Sequence, residues 1–157
     1  MDNIPRFKAL NFQQGIDSVV GSCNGHSAQE RFEKETPLFA NAIARKIPRD
    51  TTAIIDMGCG IGRLSKEILK LNSKITILGV DASDDELKLA KEYVNDSRFL
   101  PIKPEEIPHK VDLIFSVYVT QHVPAIELRH FIERMHYFLK PGGKLVHCSS
   151  LYRMAIN

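Results

Sequence analysis

The sequence predicts an α/β domain, a doubly wound, mostly parallel sheet with helices on both faces. Three observations carry that prediction. Short β-branched runs alternate with stretches of helical apolar spacing between residues 53 and 149. A glycine-rich turn containing Gly58, Gly60 and Gly62 separates the first of those runs from the helical pattern Leu64, Ile68, Leu71. An acidic residue, Asp81, closes the second run, where doubly wound nucleotide-binding folds place a carboxylate against ribose hydroxyls.

Composition sets the frame. With 157 residues, 43% hydrophobic and 25% charged, the chain suits one globular domain with a substantial core. A net charge of +2 with dispersed basic residues gives no specific nucleic-acid signal. Every apolar run falls short of the ~20 residues that a membrane span requires, and residues 1–5 lack the charged and apolar regions of a secretory signal, so a cytoplasmic location is expected. Cys23, Cys59 and Cys148 are odd in number and lack C-x-x-C spacing. They read as free thiols, with no disulfide framework and no metal site.

Taken in order, residues 1–26 read as a loosely structured N-terminal arm or lid, interrupted by Gly15, Gly21 and Gly25, with Phe7, Leu10 and Phe12 as anchors. Residues 27–157 form the predicted domain. Ser27 and Glu30 have the form of a capping box opening a charged helix. Pro37 should interrupt that helix, with Thr36 capping a second one that carries Leu38, Phe39, Ala42, Ile43 and Ile47 before Pro48 ends it. Ala53, Ile54 and Ile55 then make a buried strand closed by Asp56.

The glycines after it permit positive φ and bring a ligand close to the main chain, while the following helix start offers N–H donors. Their spacing fits neither the dinucleotide fingerprint G-x-G-x-x-G nor the P-loop, so a nicotinamide dehydrogenase is disfavoured. Cys59, inside the loop, has no base tied to it and reads as a small residue contributing its backbone. Ser83 and Glu86 form a second capping box before the stripe Leu87, Ala90, Val94, a helix read as structural. Residues 98–108 give a short third strand and a proline-rich loop, and residues 111–117 a fourth strand.

Ligands of open α/β sheets lie beyond the carboxyl ends of the strands, so Ser116, Val117 and Tyr118 should face the site, with Gln121 and His122 along its edge. Asp112, at the opposite end of that strand, reads as structural. His122 is the candidate proton acceptor, or else a packing or positioning residue. Ile126, Leu128, Phe131, Ile132, Met135, Phe138 and Leu139 fit one helical face and read as core, leaving His130 and His136 incidental. Residues 140–143 stop the helix and residues 144–149 form the fifth strand.

Asp56 two residues before the first glycine, Asp81, the segment after the fourth strand, and the turn before the fifth together resemble the class I S-adenosylmethionine-dependent methyltransferases over residues 27–150. The resemblance implies a Rossmann-like fold, S-adenosylmethionine as cofactor, and a glycine loop packed against its methionine moiety. The cofactor-binding set it implies is Asp56, Gly58, Cys59, Gly60, Gly62, Asp81, Ala82, Ser116, Val117 and Gln121, with His122 as the catalytic candidate. The reaction would be methyl transfer to an oxygen, nitrogen, carbon or sulfur nucleophile, driven mainly by alignment.

The chain departs from the family in several places. Lys103, followed by Glu105 and Glu106, stands near the position where members carry an Asp that contacts the adenine amino group. Ser116 to Val119 replace the Asn/Asp-Pro-Pro-Tyr signature of amino-methylating nucleic-acid enzymes, and no carboxylate cluster suits a catechol-type magnesium site. A small-molecule acceptor is therefore expected. Members continue into two more strands, so the sheet is expected to be truncated after the fifth. A partner chain or a homo-oligomer would cover that edge, and the alternative function is an incomplete cofactor-binding fragment or subunit.

Overall fold

The computed structural model describes residues 9–23 and 25–149. Strands β1 (Ala53–Met57), β2 (Thr76–Val80), β3 (Phe99–Ile102), β4 (Val111–Val117) and β5 (Leu139–Cys148) alternate with helices α3 (Arg63–Leu71), α4 (Asp84–Val94) and α5 (Ala125–Tyr137). Helices α1 (Phe12–Val19) and α2 (Ala28–Ala44) precede them. The sheet is parallel throughout, in the order β3-β2-β1-β4-β5. The chain builds outward from β1 to β3 and then crosses back to place β4 on the other side of β1. That reversal opens a crevice at the carboxyl ends of β1 and β4.

Strand alternation divides the core in two. Ile54, Ile77, Leu113 and Phe115 face Ala40 and Ile43 of α2, Leu64 and Ile68 of α3, and Ala90 and Val94 of α4. Ile55, Leu78, Val80 and Ile114 face the other way, against Met135 of α5 and against Ile107 in the loop before β4. Burying side chains of this size stabilises the fold by about 1.5–3 kcal/mol each relative to exposure. Asp112 pairs with Lys140 at 3.0 Å, at the strand end remote from the crevice.

Four elements differ from the sequence reading. Residues 12–19 are helical, although Gly15 was expected to break them. Asn11 caps the helix through its side chain, and Gly15 is a packing glycine, since a Cβ there would lie 2.4 Å from Ile61 Cγ2. Ile16 and Val20 join Ala28, Phe32 and Ile61 in a small third cluster that anchors α1.

α2 runs unbroken through Pro37, with the predicted capping box at Ser27 in place. An interior proline costs about 3 kcal/mol. Its ring is on the exposed side, the Thr36 hydroxyl donates to the Phe32 carbonyl, and Phe32, Ala40 and Ile43 are buried on either side of it. Tertiary packing outweighs the break.

α5 is less buried than its apolar content suggests. Leu128, Phe131, Met135 and Phe138 keep helical register toward the sheet, but Ile126 is 91% exposed and Ile132 38%. Ile126 falls opposite the buried stripe. β5 begins at Leu139, earlier than expected, because Leu139 pairs with Val111 before the register shifts and Lys144 pairs with Leu113. The intervening residues bulge outward, with Gly142 at φ 78°. Among the described residues β5 is hydrogen-bonded along one side only, and Leu145 is 38% exposed.

Candidate functional site

The site begins where β1 ends. Gly58 (φ 77°) and Gly60 (φ 51°) take left-handed backbone conformations that side chains disfavour. Close packing reinforces the requirement, because a Cβ on Gly58 would lie 2.3 Å from Val119 Cγ2 and one on Gly60 2.4 Å from Val19 Cγ1. The loop is stitched to β2 as the N–H groups of Gly58 and Cys59 donate to the Val80 carbonyl at 2.7 and 3.0 Å. The Gly60 N–H donates to Asp81 Oδ2 at 3.0 Å, and the Ser83 N–H to Asp81 Oδ1 at 2.9 Å. The N–H groups of Gly58, Cys59, Gly60 and Gly62 are therefore committed within the protein rather than offered to a phosphate.

Beyond this loop lies a cavity of about 780 Å³ at the carboxyl ends of β1, β2 and β4. Gly58, Gly60, Asp81, Ala82 and Glu86 form one wall, together with Ser18 and Val19 of α1. Val117, Tyr118, His122 and the α5 residues Glu127, His130, Phe131 and Arg134 form the other. The first wall is rich in buried acid. Burial raises Asp81, with the N–H groups of Ser83 and Gly60 opposing the shift. Burial pushes Glu86 up to about 7; its hydrogen bond from Ser18 opposes this and the charge of Asp81 adds to it.

Of the residues singled out in the sequence, Gly58, Gly60, Asp81, Ala82, Val117 and His122 line the cavity, whereas Asp56, Cys59, Gly62, Ser116 and Gln121 do not. Asp56 lies buried beneath the loop and accepts from Ser65 Oγ at 2.7 Å. Burial pushes it up to about 7, opposed by the Ser65 hydrogen bond. Cys59 is buried, its thiol raised by burial, which leaves it unreactive. Gly62 caps α3 and packs on Val94. Ser116 is fully buried, its Oγ without a hydrogen-bond partner among the described residues. Gln121 Nε2 lies 3.1 Å from His122 Nε2. Lys103 donates to the Ala82 carbonyl at 2.9 Å and pairs with Asp84 at 2.7 Å, outside the cavity lining.

Ser18, Val19 and Glu86 were missed as site residues, as were Glu127, His130, Phe131 and Arg134 of α5; the sequence reads His130 as incidental and Phe131 as core, but both line the cavity. Glu86 had a signal available, its i+4 and i+8 spacing to the apolar Ala90 and Val94, which the expected capping box obscured; the structure forms only the Ser83 half of that box, because the Glu86 side chain turns to Ser18 of α1 instead. Ser18 had none, being brought in by tertiary packing of α1. Tyr118 carries a further feature, φ 63° in a residue with a large side chain. Such strain costs about 1–3 kcal/mol and collects at functional sites. Here it is held by Phe39 edge-on to the ring at 5.6 Å, by the guanidiniums of Arg31 and Arg63 each 5.8 Å from its centroid, and by Glu35 at 3.4 Å from its hydroxyl.

Residues 55–145 match the family model described as a methyltransferase domain. The chain is 27% identical to a ubiquinone biosynthesis O-methyltransferase of Nitrobacter winogradskyi, over 69% of this chain and 45% of that protein. It is 31% identical to a trans-aconitate 2-methyltransferase of Rhodopseudomonas palustris, over 73% of this chain and 45% of that protein. The matches thus span about half the length of these relatives. Among solved structures, the SAM-bound amino pentose methyltransferase CalS10 of Micromonospora echinaspora superposes with a TM-score of 0.65 at 20% identity, covering 80% of this chain and 58% of that one.

Proposed function

The chain belongs to the methyltransferase domain family, with the Rossmann-like fold of the class I S-adenosylmethionine-dependent enzymes, and on that premise we propose that it binds S-adenosylmethionine and methylates a small-molecule acceptor. The observation that carries this reading is the acidic wall beside the glycine loop. Asp81 holds the Gly60 N–H and Glu86 lines the same wall, so a dinucleotide's pyrophosphate would meet two carboxylates. A nucleoside bearing hydroxyls and a sulfonium carries the charge and donors that this wall suits.

When bound, the cofactor supplies an electrophilic methyl group on sulfur. The chain's residues hold and orient it. Asp81 would accept from ribose hydroxyls, the main chain of Gly58 and Gly60 would allow close approach of the methionine moiety, and Ala82 and Val117 would provide apolar wall. Asp56, Cys59 and Gly62 act beneath, fixing the loop, while Ser116 and Gln121 support the end of β4 and the turn after it. His122 lines the opposite wall, where its imidazole would accept the proton of the acceptor nucleophile. Alignment of the two reactants provides most of the rate enhancement.

Calorimetric titration with S-adenosylhomocysteine and, separately, NAD tests the reading. Saturable binding of the former is expected, weakened about tenfold or more by Asp81→Ala, with none for NAD. Binding of NAD, or of neither by folded protein, contradicts it. A second reading, a cofactor-binding unit that needs another chain to complete catalysis, is favoured by the edge of β5 that carries no neighbouring strand among the described residues. It predicts the same cofactor affinity and no methylation by the isolated chain.

A further inference from the structure

Glu86 is a buried acid without a structural counter-charge. It is 3% exposed, and no Lys, Arg or His lies within 4 Å of its carboxylate among the described residues. Its Oε1 accepts from Ser18 Oγ of α1 at 2.7 Å. Oε2 faces the glycine loop, 2.9 Å from the point where a Cβ on Gly60 would sit. The side chain lines the cavity on the same wall as Asp81. A carboxylate kept out of water at this cost, beside another, is a poor stability device.

Its surroundings suit a hydroxyl. Asp81 has both oxygens engaged by main-chain N–H groups, those of Gly60 and Ser83 with Ala82 adding to them, which leaves it little freedom to turn. Glu86 has a longer side chain and one oxygen anchored by a hydroxyl. Its position near 7 means that at neutral pH it is held partly as the acid, which donates as well as accepts. A ribose presents adjacent hydroxyls that do both.

We propose that Glu86 is a second hydroxyl-binding residue of the nucleoside site, working beside Asp81 and held in place by Ser18 of α1. This rests on the cofactor reading given above. It also makes Ser18 a positioning residue, since α1 fixes the carboxyl through one hydrogen bond rather than by touching the ligand.

The test compares S-adenosylhomocysteine with its 2′-deoxy and 3′-deoxy forms by calorimetry, in the wild type, Glu86→Ala and Glu86→Met, with thermal melts confirming that each variant folds. In the wild type each missing hydroxyl should cost about tenfold in affinity. In the Glu86 variants one of those two penalties should shrink to less than about twofold while the other, held by Asp81, persists. Glu86→Ala removes the carboxyl without adding bulk, so it reports even where Glu86→Met fails to fold. Wild-type penalties retained in the variants would overturn the proposal and leave Glu86 a packing residue. Absence of S-adenosylhomocysteine binding to the wild type would instead overturn the cofactor reading, and this inference with it.

Discussion

The two walls of the cavity are built differently. The wall of β1, β2 and α1 is closed by hydrogen bonds from Gly58, Cys59, Gly60 and Ser83 and by valines packed against glycine backbone. The wall of β4 and α5 is looser, with Glu127 and His130 exposed; on its outer side Ile126 stands in solvent, and among the described residues β5 is paired along one side only. The difference teaches where each kind of recognition belongs. A rigid, fully bonded wall suits a cofactor common to many enzymes, and an open one suits an acceptor or a covering partner that varies.

The sharpest way to break this contrast is to fill the close approach on the first wall. Gly60→Val meets both the left-handed backbone and Val19, and should destabilise the fold by about 2–4 kcal/mol, read from urea unfolding. Asp56→Ala should follow, because the Ser65 hydroxyl loses its buried acceptor, costing about 1–3 kcal/mol in the same assay. A loss under 0.5 kcal/mol for either would mean that this wall is not rigid.

A pH profile sharpens the contrast further. Asp56 and Glu86 are raised to about 7 in the folded chain from ordinary values of 3.8 and 4.5, so between those limits the folded state holds more protons than the unfolded one. Stability contributed by these groups is therefore present in acid and lost as the pH rises toward 7, with no further loss from them above it. Glu86→Gln should flatten that slope, as urea midpoints at pH 5 and pH 8 would record; an unchanged slope would show that Glu86 does not titrate there. The smallest effect belongs to the second wall. Ile126→Ser on α5 should change stability by less than about 0.5 kcal/mol, and a larger loss would mean that this surface is covered in the folded protein.

Much of the first wall was legible because local chemistry determines it. Asp81 at a strand end and glycines at a strand-to-helix turn need no distant partner to be recognised, and the capping box of Ser27 formed as read. Failures came where tertiary packing overrode a local rule. Pro37 sits inside α2 because both flanking turns are buried, and Gly15 sits inside α1 because Ile61 requires a residue without a side chain there. The apolar count of α5 could not reveal how little of the helix is covered. Ser18 reaches Glu86 across 68 residues of sequence, a distance no local pattern spans.

The most direct test of the division between the walls is a titration of the labelled protein with S-adenosylhomocysteine, followed residue by residue in amide proton–nitrogen spectra. The largest shifts should fall at Ser18, Gly58, Gly60, Asp81 and Ala82, with residues of α5 and β5 moving least. Shifts concentrated on α5 and β5, with the glycine loop unmoved, would contradict the assignment of the bonded wall to the cofactor.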